Sequence, residues 1–250
     1  MHDTGSGPAV LMLHAWPLDA SQWDGQVAAL SGRYRCLRPD FWGCGASGQA
    51  PGPVTIDGWA ATLLELLEER GVGEVVVVGC SIGGYTTFAL LRAAAPRIRG
   101  VVLANTRAAA DDEATLAARR SMKEQVRSHG VEAIVEPMTA RLLCARCHGE
   151  AHISDPVRGR IRRCTDAGVL SAIEAIAGRP DSRPGLRAVT AATLVICGTA
   201  DAVVPVEESR AMAAAIPGAT LEEFEGAGHL CDLEQPQRFS ASLLRFLDGL

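Results

Sequence analysis

The chain has 250 residues, 48% of them hydrophobic, and a formal charge of −5. That is enough to bury the core of one α/β domain, while the mildly acidic balance and the lack of a basic run argue against nucleic acid as a partner. No apolar stretch reaches membrane-spanning length and Met1–Gly7 has no signal-peptide pattern, so no membrane partner is expected and the expected location is cytoplasmic.

A turn at Gly5–Pro8 leads into a buried strand, Ala9–Leu13, then a loop, His14–Asp19. Ser21 is placed to cap a helix running through Trp23 and Val27 to Leu30. Tyr34–Asp40 holds a second short strand and Phe41–Gly48 a glycine-rich loop. Thr55 or Asp57 opens an amphipathic helix that carries Leu63, Leu64, Leu66 and Leu67 to Gly71. Val75 to Val78 are consecutive β-branched residues, which suit a strand buried on both faces of a parallel sheet. Gly79-Cys80-Ser81-Ile82-Gly83 follows, then apolar residues at helical spacing as far as Arg92, and Arg99–Asn105 is another strand.

From Thr106 to about Leu186 helical patterns succeed one another without a strand, punctuated by Pro137, Pro156, Pro180 and Pro184. The segment is too long for a simple crossover and reads as a helical insertion. Thr193–Gly198 resumes the strands, followed by a helix at Val206–Ile216, a strand at Thr220–Phe224 and a last helix at Pro236–Leu247. Strands alternating with helices predict a mostly parallel sheet wrapped on both faces. The expected division is a core of residues 1–105 and 187–250 with a cap at 106–186. The eight cysteines are expected as reduced thiols, since no export signal accompanies them and Cys36, Cys80 and Cys197 fall in or just after apolar runs.

The pattern G-x-S-x-G between a strand and a helix is a nucleophile elbow: the turn strains Ser81 and leaves its hydroxyl at the end of the sheet, with the Ile82 amide at the start of the helix. A serine needs a base oriented by a carboxylate. Asp201 follows the strand at Thr193–Gly198, and His229, in Gly226-Ala-Gly-His, follows the strand at Thr220–Phe224. Both lie on the side of a parallel sheet where Ser81 lies, in the chain order Ser, Asp, His.

Together with Leu13-His-Ala-Trp-Pro-Leu-Asp19 and Asp40-Phe-Trp-Gly-Cys-Gly-Ala-Ser47, these motifs resemble the α/β-hydrolase superfamily. The nearest resemblance is to small bacterial hydrolases related to 3-oxoadipate enol-lactonase and to cofactor-free haloperoxidases and esterases, over almost the whole chain. The resemblance implies Ser81 as nucleophile, His229 as base, Asp201 as its acid, and an oxyanion hole from the Trp16 and Ile82 amides. It implies hydrolysis of a small carboxylic ester, lactone or thioester through an acyl-enzyme, without metal or organic cofactor. Trp16, Trp42 and Tyr85 are the expected substrate pocket. Three departures stand out: Ala15 where the family has Gly, Trp42 where it usually has Arg, and an N-terminal hairpin largely missing before Gly5. The last predicts about six main strands and an open sheet edge, which favours homo-oligomers.

Other readings stay open. A carbon–carbon bond hydrolase or an acyltransferase uses the same residues, and a non-catalytic ligand receptor can share the fold. His14 is expected to shape the oxyanion loop and Asp40 to fix turns. Asn105 stands where some relatives carry the acid. Cys144-Ala-Arg-Cys147-His148 matches a haem-attachment pattern, and with His152 or Cys164 a zinc spacing; neither is preferred over ordinary helix residues. Arg158-Gly-Arg-Ile-Arg-Arg163 reads as a solvated helix face, with an anion-steering rim as the sharper alternative.

Overall fold

In the computed structural model, which describes residues 1–250, the strands are β1 (His2–Thr4), β2 (Ala9–Leu13), β3 (Arg35–Arg38), β4 (Val75–Cys80), β5 (Ile98–Ala104), β6 (Ala192–Gly198) and β7 (Thr220–Phe224). They form one sheet in the order β1-β3-β2-β4-β5-β6-β7, parallel throughout except at β1. The core helices are α1 (Asp24–Leu30), α2 (Ile56–Glu69), α3 (Ile82–Ala94), α9 (Val206–Ala215), α10 (Cys231–Glu234) and α11 (Pro236–Asp248). Between β5 and β6 lie α4 (Glu113–His129), α5 (Glu132–Leu142), α6 (Ala145–Gly149), α7 (Ala151–Arg162) and α8 (Asp166–Ala177). No helix is long and apolar enough to cross a membrane.

The chain moves one way along the sheet from β2 to β3 and the opposite way from β3 to β4. Right-handed crossovers then put α1 on one face and α2 and α3 on the other; α1 packs with α11, and α2 with α3. β4 lies inside this sandwich and is buried along its whole length, as its β-branched run requires. Thr55 caps α2, its hydroxyl accepting from Gly58 N–H at 2.9 Å. Asp19, not Ser21, opens the 3₁₀ turn before α1 and accepts from Ser21 N–H at 3.0 Å.

Two expectations are corrected. The sheet has a seventh strand: His2–Thr4 runs antiparallel to β3, tied by the Arg35–Asp3 ion pair at 2.6 Å. Three polar residues carry no apolar period, so composition hides the strand that covers β3. The cysteines are not all reduced thiols either. Cys44 and Cys164, 120 positions apart, are joined in a disulfide, leaving six buried free cysteines. A pairing this remote leaves no spacing signal.

That bond belongs to a larger junction between the inserted helices and the core. A Cβ on Gly168 would stand 2.7 Å from the Gly43 Cα, so only glycine permits the approach. Thr165 N–H donates to Gly43 O at 2.7 Å beside the disulfide. Closing a loop of this length stabilises the folded chain by about 4–5 kcal/mol on the chain-entropy estimate. Reduction, or Cys44→Ser, is therefore expected to lower the thermal midpoint by roughly 10 °C or more; a midpoint indifferent to reductant would show that the bond contributes nothing.

Candidate active site

Because the strand order reverses at β2, a crevice opens at the carboxyl ends of β2 and β4, the usual ligand position in such sheets. The register places Leu13 beside Gly79, Cys80 beside Ala104, Ala104 beside Ile196, and Gly198 beside Phe224. The loops bearing His14, Ser81, Asn105, Asp201 and His229 thus leave one edge of the sheet.

Ser81 has φ +55° and ψ −113°, a conformation costing a non-glycine residue on the order of 1–3 kcal/mol. Its glycine neighbours make the turn possible. A Cβ on Gly79 would come within 2.4 Å of Gly83 O, and one on Gly83 within 2.3 Å of Leu13 O. The Ile82 amide begins α3 and has no acceptor within that helix.

His229 Nδ1–H donates to Asp201 Oδ2 at 2.8 Å, with both side chains 1% exposed. Asp201 Oδ1 accepts from the Val203 and Val204 amides at 2.7 and 3.0 Å, and Asn105 Nδ2 donates to Oδ2 at 3.0 Å. Burial alone would raise the Asp201 carboxyl; the facing His229, the Val204 amide and Asn105 hold it below the usual range instead. Asn105 itself sits at φ +46° and also donates to Gly228 O at 3.2 Å. His229 Nε2 is buried without a partner. It and Ser81 line one cavity of about 350 Å³, together with Trp16, Tyr85, Leu142 and Val203. No hydrogen bond joins the Ser81 hydroxyl to the ring; catalytic hydrogen bonds commonly tighten only in the substrate complex. A second cavity of about 380 Å³, walled by Phe88, Leu91 and Leu186, contains no nucleophile with a base.

The loop after β2 is held by its neighbours. His14 Nδ1–H donates to Ala15 O at 2.8 Å, and Nε2 accepts from Phe41 N–H at 3.0 Å. Burial depresses the basicity of the ring, with the Ala15 carbonyl opposing, so the neutral form fills this structural role. Ala15 N–H donates to Gln22 Oε1 at 2.7 Å, whereas Trp16 N–H has no acceptor among the loop hydrogen bonds. The methyl that replaces the family glycine is fully buried under this bracing.

A strained serine on a strand–helix turn, a buried His–Asp pair and a reversing parallel sheet occur together here. The sequence model of the alpha/beta hydrolase family matches residues 10–242. The chain belongs to that family. This alpha/beta hydrolase is similar over 99% of its length to a thermophilic esterase from Thermogutta terrifontis, covering 92% of that chain at 36% identity and a TM-score of 0.95. It is similar over 99% of its length to the enol-lactonase from Burkholderia xenovorans, covering 95% of that chain at 29% identity and a TM-score of 0.92. Among curated proteins, 3-oxoadipate enol-lactonase 2 of Acinetobacter baylyi is 28% identical over 93% of this chain and 86% of its own. The protein is a hydrolase enzyme.

Of the residues singled out from sequence, Ser81, His229, Trp16 and Tyr85 reach the cavity, and Asp201 stands behind His229. Trp42 does not line it: its ring packs edge-on against Trp59 at 5.5 Å, over a separate depression beside Pro51 and Pro53. The Arg158–Arg163 cluster is no anion rim. Arg158 pairs with Glu136, Arg162 with Glu132 and Arg163 with Asp19, at 2.6–2.7 Å, and Arg160 donates to Ser21 O. The zinc spacing is broken up, with His148 on Glu136 at 2.7 Å, His152 exposed and Cys164 in the disulfide. Cys144 and Cys147 remain together, buried next to Glu234. Burial pushes the Cys147 thiol up to about 12, and both Glu234 oxygens accept backbone amides, from Cys144 and Gly228.

Sequence patterns overlooked Gln22 and Asp232. Gln22 bridges the Ala15 amide to Asp232 Oδ1, 3.1 Å away, and Asp232 Oδ2 has no partner. Burial pushes the Asp232 carboxyl up to about 7, against the opposing pull of Gln22. The folded chain thus retains a proton that the unfolded chain releases near pH ~4. The stabilisation is full below about pH 4 and lost as pH rises to about 7, on the order of 4 kcal/mol across that window. Asp232→Asn is expected to flatten the fall in thermal midpoint between pH 5 and pH 8; an unchanged slope would assign that fall to other groups.

Proposed function

We propose that this hydrolase cleaves a small carboxylic ester or lactone through an acyl-enzyme. The observation that carries the reading is the His229–Asp201 pair, 2.8 Å apart, opening onto the same cavity as the strained Ser81. The esterase and enol-lactonase among its relatives point to the same chemistry.

His229 Nε2 takes the Ser81 proton as the oxygen attacks the carbonyl carbon, and Asp201 stabilises the imidazolium without becoming protonated. The developing oxyanion accepts the Trp16 and Ile82 amides, each donor of this kind contributing roughly 100- to 1,000-fold in rate. His229 then protonates the departing alkoxide; in a lactone that group stays tethered to the acyl chain. Water, losing a proton to His229, attacks the acyl-enzyme, and Ser81 recovers its proton as the carboxylic acid leaves. Asn105 orients Asp201. The partner in this reading is a small acyl molecule rather than nucleic acid or a membrane. A cytoplasmic location belongs to the same proposal, although the Cys44–Cys164 disulfide weighs against it because cytosolic reductants keep thiols open.

The test is intact mass after exposure to a fluorophosphonate, paired with turnover of 4-nitrophenyl acetate. One adduct is expected on the native chain, none on Ser81→Ala and slow labelling on His229→Ala, with ester turnover lower by at least about 1,000-fold in both variants. An adduct retained by Ser81→Ala, or turnover undiminished in it, would refute the assignment.

A further inference from the structure

The cavity reverses the charge balance of the chain. The sequence has 29 Asp and Glu against 24 Lys and Arg, yet the wall shared by Ser81 and His229 contains Arg107, Arg119 and Arg141 and no acidic residue. Two of these arginines are built into the wall. Arg107 and Arg119 are each 17% exposed and both reach Asp111, a fully buried carboxylate that also takes Arg179 at 2.8 Å. One carboxylate is therefore shared among three guanidiniums. Arg179 spends its other donors on the Ile176 and Ala109 carbonyls and stacks over the Tyr85 ring at 4.1 Å, while Arg107 Nε is buried without a partner.

Arg141 differs from both. It stands in the last turn of α5, exposed at the cavity, and makes no ion pair or hydrogen bond. Every other arginine from Arg107 to Arg183 has a polar partner. Half-buried cations in excess are costly unless an anion completes them, and an unpaired guanidinium offers a planar fork that fits a carboxylate. Ala118, Met122, Met138 and Ile176 give the same wall apolar surface beside the arginines.

We propose that the cavity selects acyl substrates whose acyl chain ends in a free carboxylate, with Arg141 as the counter-ion that sets this specificity and Arg119 beside it. The proposal rests on the ester and lactone hydrolysis above. The carboxylate lies at the end of a short aliphatic body, and its scissile carbonyl reaches Ser81. An electrostatic contact of this kind acts mainly on KM and weakens with salt.

The test compares mono-4-nitrophenyl glutarate with the neutral 4-nitrophenyl pentanoate on the native chain, on Arg141→Gln, and on Arg158→Gln as a control for net charge. The native chain is expected to favour the glutarate ester roughly 10- to 100-fold in kcat/KM. Arg141→Gln loses most of that preference through KM, and Arg158→Gln keeps it. No preference in the native chain, or a preference surviving in Arg141→Gln, overturns the proposal. If neither ester turns over, the hydrolytic reading fails separately, and calorimetric titration with glutarate decides the subsite. Binding to the native chain that Arg141→Gln loses supports it, and no binding to the native chain overturns it.

Discussion

The arrangement of the site depends on how closely the first turn of α3 approaches the end of β2. Gly83 lies against the Leu13 carbonyl at a distance that excludes any side chain, and Ser81, two residues before it, stands at positive φ. The strain persists because the surroundings over-determine it. Ser81 N–H donates to Ala104 O at 3.0 Å, Thr106 Oγ1 donates to Ser81 O at 2.8 Å, and the strand feeding the turn is buried on both faces. The same approach brings the Ile82 amide next to the loop that carries Trp16.

A second constraint joins the base to the inserted helices. Glu234 accepts the Cys144 and Gly228 amides at 2.9 Å each, and His229 N–H donates to Leu142 O at 3.0 Å. The loop of the base is therefore registered against the end of α5, whose Arg141 and Leu142 also wall the cavity. Across the molecule, Gly43 against Gly168, the Cys44–Cys164 bond, and Arg163 on Asp19 fix the insertion to the loops after β2 and β3. Displacing the insertion would disturb both the pocket and the base.

Buried charge is handled in two ways. Asp111 is over-supplied with cations, so it stays ionised and holds Arg107 and Arg119 in the wall. Asp232 has only Gln22 and one unpartnered oxygen, so burial favours its neutral form. The surface arginines of α7 are consumed by nearby carboxylates, whereas Arg141 at the cavity has none.

What was legible in the sequence was the chemistry that local backbone demands. The valine run, the glycines around Ser81 and the strand-ending positions of Asp201 and His229 sufficed for the buried strand, the elbow and the candidate Ser, His and Asp. Each depends on residues a few positions apart. Ser21 as a cap failed because Asp19 supplies a carboxylate two residues earlier. Trp42 failed as a pocket residue because the loop after β3 turns its ring toward Trp59. The sequence marks Asn105 only as a position where some relatives carry the acid, and its hold on Asp201 spans 96 positions. The disulfide, the Glu234 bridge, the arginines around Asp111 and the free Arg141 were likewise decided by tertiary structure alone. Side-chain partners are chosen by proximity in space, and a sequence records proximity only where the chain itself is short between them.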